Sequence, residues 1–207
     1  GNMDIIRLIN KVKDRVPKPM DQEKKYSVLI PLIQINNEWH IIFELRAKEL
    51  KSQPGEISLP GGKVEGKETF KDAAIRETME ELLIRRDSIY IVGELDYLVS
   101  YANFTTHCFL GVISGVNVDK IIPNKSEVDH LFTVPVDFFL ENEPEKYVLD
   151  LQTVENKEFP YYLIPNGRDY NFRKGKHHVL FYKYNDYIIW GFTAKMVNHL
   201  IEIIKDL

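Results

Sequence analysis

Three glutamates, Glu77, Glu80 and Glu81, crowd one short stretch of "GGKVEGKETFKDAAIRETMEEL" (61–82), which opens on a pair of glycines. The apolar spacing predicts a helix over 70–83, with Thr69 as N-cap and Asp72 three positions later in capping-box fashion. At about 100° per residue the three glutamates fall within an arc of roughly 100°, while Ile75, Met79 and Leu82 point to the other side. Such a helix buries an apolar stripe and turns a dense acidic face to a cavity or to solvent. Like charges three or four positions apart cost roughly a few tenths of a kcal/mol per pair. Carboxylates near a helix C-terminus also oppose its macrodipole. Selection for stability alone works against this face. A hard divalent cation, Mg²⁺ or Mn²⁺, reverses the sign, because it prefers carboxylate oxygens. Phe70, Ala73 and Ala74 share the face in the preceding turns, and the alanines leave room for the glycine loop to approach. The plainer alternative is a solvated face on which Arg76 and Glu80 form an ordinary i,i+4 pair.

The rest of the chain narrows the possibilities. A length of 207 residues with 44% hydrophobic content fits one domain with extras and a sizeable core. The formal charge is −4, and no basic stretch is dense enough to track a nucleic-acid backbone, so a polymeric DNA or RNA partner is not expected. Cys108 is the only cysteine, which excludes an internal disulfide and fits a reducing compartment. The longest apolar runs, "VLIPLI" (28–33) and "YIIWGF" (187–192), are far too short to span a membrane. No secretory signal is visible, the expected location is cytoplasmic, and "GN" before Met3 reads as a scar of expression.

Ile5, Ile9, Val12 and Val16 stand at helical spacing before "PKP" (17–19) and predict a short helix packed on the main body or on a second subunit of a homodimer. Residues 1–25 are taken as this helix and its linker, and 26–207 as the main domain. Two strand-like runs between Tyr26 and Leu45, split by Asn36-Asn37, predict a hairpin. Further strands are expected at 57–59, 88–99, 104–113, 130–134, 147–151, 158–164 and 178–189, the last turning at Asn185-Asp186. A short helix is expected within 134–141 and a final one over 190–206. Strands around a central helix with a closing helix give a mixed α+β sandwich.

From Gly62 the pattern is Gly-x5-Glu-x7-Arg-Glu-x2-Glu-Glu, through Glu68, Arg76-Glu77 and Glu80-Glu81. Six fixed positions at fixed separations resemble the box of the Nudix hydrolase superfamily, enzymes that cleave a nucleoside diphosphate linked to another moiety. The resemblance implies an α/β/α sandwich with a mixed central sheet and a loop-helix-loop catalytic motif. It also implies Mg²⁺ or Mn²⁺ as cofactor, with Glu77, Glu80 and Glu81 as metal ligands. One of these glutamates, or an acid from another loop, activates the attacking water. Arg76 orients Glu77, Glu68 braces the loop, and Gly61 and Gly62 support it, the carbonyl beside Gly61 reaching toward a metal. One position departs from the box: Leu83 stands where a glycine is usual, at the helix exit.

The segment before the box, "LRAKELKSQPGEISLPGG" (45–62), places Arg46, Leu50, Gly55, Ile57 and Pro60-Gly61-Gly62 much as the coenzyme A pyrophosphatases of the superfamily do. Gln53 and Leu59 depart from that group's usual histidine and phenylalanine. "IIWGFTAKMV" (188–197) and "EVDHLFTVPVDFF" (127–139) are also similar to stretches of that group. The resemblance implies a small nucleotide substrate, coenzyme A or a derivative, with ADP-ribose or another nucleotide as the alternative and a non-catalytic nucleotide sensor as a third reading. Arg46 and Lys48 are candidate phosphate contacts, or simply exposed basic residues. Tyr97, Tyr101 and Phe104 line a groove or fill the core. Glu127 is a candidate additional catalytic carboxylate, or a loop acid in solvent. His107, His177 and His178 show no partner spacing and are set aside.

Overall fold

The computed structural model describes residues 4–22 and 24–206. Gly1-Asn2, the pair read as an expression scar, lies outside the described residues. β1 (Lys24–Ile35) and β2 (Glu38–Arg46) form the expected hairpin, and Asn36 and Asn37 take positive φ of 51° and 65°, as a tight two-residue turn demands. β3 (Ile57–Ser58) and β8 (Val128–Pro135) both pair antiparallel with β2, and β4 (Gly61–Lys63) pairs antiparallel with the start of β1. β7 (Phe104–Ile113) runs parallel to β1 over its whole length, which makes the eight-stranded sheet mixed. On its far side β7 carries β5 (Ile89–Glu94) and β6 (Leu98–Val99), so the run expected over 88–99 is two strands.

The two faces of this sheet follow from the period-2 alternation of side chains. Leu29 and Ile33 of β1 and Ile42 of β2 meet helix α2 (Phe70–Leu82), joined by Phe109 and Ile113 of β7. Ile30, Ile41 and Phe43 point the other way, into a larger cluster. That cluster is roofed by α3 (Val136–Glu141), a separate three-stranded antiparallel sheet and α4 (Gly191–Lys205), which contributes Ala194, Val197, Leu200 and Ile201. The small sheet comprises β9 (Glu145–Leu151), β10 (Gly175–Tyr184) and β11 (Tyr187–Trp190), with Asn185 at a φ of 51° in the expected turn. The result is the α+β sandwich, with α2 on one face and α3 and α4 on the other.

Two expectations are corrected. The N-terminal helix, α1 (Ile5–Val12), forms on an Asp4 cap whose Oδ1 accepts from Ile6 N at 3.1 Å, yet it buries none of its residues. Ile5, Ile6, Leu8, Ile9 and Val12 are 43–68% exposed, so it does not pack on the main body. Pro17 and Pro19 follow this short helix in a stretch without helix or strand. The strand expected over 158–164 is absent: the segment folds around a 3₁₀ turn at Tyr161–Leu163, and a second turn follows at Gly167–Asp169. Pro160 and Pro165 withhold ladder donors there, and the aromatic residues pack locally, with Phe159 at 4.7 Å from Tyr161 and the Arg168 guanidinium 4.8 Å above the Tyr161 ring.

Candidate active site

Helix α2 starts at Thr69, whose Oγ1 accepts from Asp72 N at 3.1 Å, and ends at Leu83 in the left-handed conformation, φ 53° and ψ 48°. Leu83 is 60% exposed, so no burial offsets the unfavourable backbone of a residue with a Cβ. The substitution of leucine for glycine thus leaves the helix exit in the geometry that glycine serves.

Arg76 gathers the acidic residues. Its Nε and Nη2 donate to the two carboxylate oxygens of Glu68 at 3.0 and 2.7 Å, a bidentate pair. Nη2 also donates to the Lys63 carbonyl at 3.0 Å, and Nη1 to Glu77 Oε1 at 2.9 Å, with a weaker reach to Glu80 Oε2 at 3.4 Å. Glu68 in turn accepts from Glu65 N at 2.8 Å and so fixes the bend that leads into the helix. The bond from Arg76 holds the Glu68 carboxyl below the usual range, and the same bond raises the guanidinium of Arg76 further.

The glycine pair is required by contact. A Cβ on Gly61 would come within 2.5 Å of the Ser27 carbonyl oxygen and 2.8 Å of Val28 Cα. One on Gly62 would stand 2.5 Å from the Glu77 carboxylate. The main chain of β1 leaves no room for a Cβ on Gly61, and a Cβ on Gly62 would push the Glu77 carboxylate out of its place beside Arg76, so the loop lies directly against β1 and the acidic face. Gly61 N donates to Glu81 Oε2 at 2.8 Å. At the other end, Asn124 N donates to the Glu81 carbonyl at 2.9 Å and Glu127 N to the Asn124 carbonyl at 3.0 Å, which hangs the loop bearing Glu127 from the end of α2. Ala47 N donates to the Glu127 carbonyl at 3.0 Å and ties that loop to the end of β2.

The acidic face is unevenly wet. Glu80 is half exposed, Glu77 is mostly covered, and Glu81 is only 5% exposed. One more acid stands among them that the sequence reading passed over: Glu44 of β2, 1% exposed, on the same sheet face as Ile42. A carboxyl interrupting the apolar run of a central strand was the available signal. Burial pushes the Glu81 carboxyl up to about 10, with the neighbouring Glu44 the next cause, and burial pushes Glu44 up to about 8 against the pull of Arg46. Glu77 is also raised, by burial first, although Arg76 opposes it. Glu127 adds to the repulsion felt by all three.

Hard oxygen donors, mutual repulsion and unpartnered buried oxygens are what a divalent cation relieves, so the residues fit such a group. Among the described residues no three His, Cys, Asp or Glu side chains are already gathered as a metal cage. In their place Arg76 holds Glu77 and Glu80, and Gly61 N holds Glu81.

The candidate phosphate contacts differ from each other. Arg46 Nε and Nη2 donate to the carbonyls of Gln53 and Ser52 at 3.2 and 3.0 Å, so two donors are spent on shaping the 51–56 loop. Lys48 is exposed, and its charge helps His130 hold Asp129 below the usual range. Tyr97 and Tyr101 are 56% and 61% exposed and are not core residues. Tyr97 stacks on His107 at 4.7 Å, and His107 stacks in turn on Phe70, the first residue of α2, at 3.6 Å. Glu94 holds His107 Nδ1, so this histidine has a partner after all. Phe104 packs between Tyr26 and Phe192 at 5.6 and 5.4 Å, on the opposite face of the sheet from α2.

The family model of the NUDIX domain matches residues 24–179. The chain is 27% identical over 193 residues to Nudix hydrolase 3 of Caenorhabditis elegans, covering 92% of this chain and 78% of that one. It is 32% identical over 144 residues to the mouse peroxisomal coenzyme A diphosphatase NUDT7, covering 65% of this chain and 56% of that protein. Among solved structures, a MutT/nudix family protein from Enterococcus faecalis superposes with a TM-score of 0.55 at 11% identity, over 99% of this chain and 70% of that one, which is a likeness of fold. No helix among the described residues is long and apolar enough to cross a membrane.

Proposed function

We propose, from the premise that this chain belongs to the NUDIX family and is a pyrophosphohydrolase of nucleoside diphosphate compounds, that its substrate is coenzyme A or a derivative. The cut falls in the diphosphate and yields adenosine 3′,5′-bisphosphate and 4′-phosphopantetheine. The observation that carries this substrate is the run from Arg46 to Gly62, which leads directly into the carboxylate cluster with the spacing of the coenzyme A group. The likeness to a relative named as a coenzyme A diphosphatase supports it.

Nudix hydrolases use divalent metal, and here Mg²⁺ or Mn²⁺ would be held by Glu77, Glu80 and Glu81 with the main chain beside Gly61. When bound, the cation neutralises the diphosphate, polarises phosphorus and makes water more acidic. The chain's own residues supply position and charge. Arg76 fixes the Glu77 carboxylate while Glu68 anchors the other side of the guanidinium. Glu127, whose Oε2 is buried without a hydrogen-bond partner, accepts the proton of the attacking water at that atom. Lys48, on the exposed rim, meets the 3′-phosphate, and Arg46 shapes the loop beneath it.

Gln53 and Leu59 favour a second reading, a Nudix hydrolase for ADP-ribose, another nucleotide sugar or a dinucleotide. Both readings are tested by offering coenzyme A and ADP-ribose separately with Mg²⁺ or Mn²⁺ near pH 8 and identifying products by mass spectrometry. Release of 4′-phosphopantetheine is the expected outcome. Cleavage of ADP-ribose alone replaces the substrate assignment with the second reading, and no cleavage of either removes both.

A further inference from the structure

Within the cation site just proposed, on which this inference rests, we infer that Glu44 of β2 is a further carboxylate ligand, reaching the cation from the sheet, opposite the helix. Both of its oxygens are buried and have no hydrogen-bond donor. The carboxyl of Glu81 lies close by, but two carboxylates accept only, so they bond each other only while one keeps a proton. Ser58 is the direct antiparallel partner of Glu44, which puts both side chains on one face of the sheet, and Ser58 Oγ is also buried without a partner. Glu127 Oε2 is orphaned in the same way, and Glu127 faces Glu44 electrostatically. The Glu44 and Ser58 oxygens, three buried atoms without donors at the least exposed end of the acidic face, form a set that hard-cation coordination satisfies, and Glu127 Oε2 stays available for the proton of the attacking water.

The position gives a reason for its chemistry. Ile42, two residues earlier on the same sheet face, packs into the apolar cluster beneath α2. A leucine or valine at 44 would extend that cluster and remove a desolvated carboxyl, so a glutamate there lowers stability unless a cation compensates. Arg46 is the nearest basic side chain along β2, and its Nε and Nη2 donate to loop carbonyls.

The experiment titrates Mn²⁺ alone into the protein, with free Mn²⁺ followed by electron paramagnetic resonance and the metal-free and metal-loaded melting temperatures recorded in parallel. Wild-type protein binds, and Glu44→Gln, which keeps the shape and removes the charge, binds at least about tenfold more weakly. The metal-free melting temperature of the variant is equal to or higher than that of wild type, and its rise on adding Mn²⁺ is reduced. Wild-type affinity in Glu44→Gln overturns the inference and makes Glu44 a buried acid sharing a proton with Glu81. Should Glu44→Gln fold poorly, Glu44→Asp, which keeps the charge on a shorter arm, must weaken Mn²⁺ binding, and unchanged affinity there overturns the inference equally. Failure of the wild-type protein itself to bind Mn²⁺ removes the metal reading of the whole site, a result distinct from failure at Glu44 alone.

Discussion

The two faces of the central sheet are built from the same strands to opposite ends. On the face roofed by α3, α4 and the small sheet, Phe43, Phe139, Ile30, Val134 and Val197 are almost wholly buried and the cluster is unbroken by charge. On the face beneath α2, the apolar cluster of Leu29, Ile33, Ile42 and Leu82 is interrupted by Glu44 and Glu81, both buried. One face supplies the stability that the other gives up. A chain that only had to fold would have no reason to differ so sharply across one β-sheet.

Substitutions on the two faces therefore separate folding from chemistry. Phe43→Ala, which removes a ring packed 5.5 Å from Phe132 and 6.0 Å from Phe139, is expected to cost about 3–5 kcal/mol in urea unfolding. Glu81→Gln on the other face is expected to lose about 10²-fold or more in turnover while unfolding at the same or higher urea. A large loss of stability in Glu81→Gln would erase the contrast.

The pH dependence of stability sharpens it further. Glu44 and Glu81 bind protons more tightly folded than unfolded, since burial lifts them to about 8 and about 10. Between the ordinary carboxylate range and those values the native state carries more protons than the unfolded chain, so stability falls as pH rises. The metal-free protein is expected to melt progressively lower from about pH 5 toward pH 9, and Mn²⁺ to restore most at the alkaline end, where it replaces the lost protons. A metal-free melting temperature that is flat or rising over that window would show that the acidic face is not strained.

The smallest effect is at the helix exit. Leu83→Gly relieves a left-handed leucine with little burial to lose and is expected to raise stability by about 1 kcal/mol, read as a shift of the unfolding midpoint. A decrease would mean that the leucine side chain contributes packing that its exposure does not indicate.

What the sequence disclosed divides along the range of the interactions. Helix α2 was legible because its cap, its stripe and its glutamates are local, and the spacing back to Gly62 encodes the contact of that glycine with Glu77. Glu44 was not, because its meaning depends on which face of β2 meets α2, and that is fixed only when β1, β3 and β8 have paired around it. The division of the C-terminal strands into a second sheet is likewise a matter of long-range pairing. The strand expected at 158–164 does not form because Pro160 inside the segment and Pro165 just after it withhold ladder donors. Helix α1 is legible as a helix, but the expectation that it packs on the main body fails, since amphipathic spacing says that a face exists and not what covers it.

Glu81 belongs to two fastenings at once, its side chain to Gly61 N and its carbonyl to Asn124 N. The loop before α2 and the loop before β8 are thereby buttoned to a single residue, one through an atom that mutation can change and the other through an atom that it cannot. Replacing the side chain releases the glycine loop alone, and the loop that carries Glu127 stays moored to the same peptide unit. Whatever the local surroundings make of position 81, the distance between the helix end and Glu127 is inherited from the main chain, and drift in the side chains has no direct hold on it.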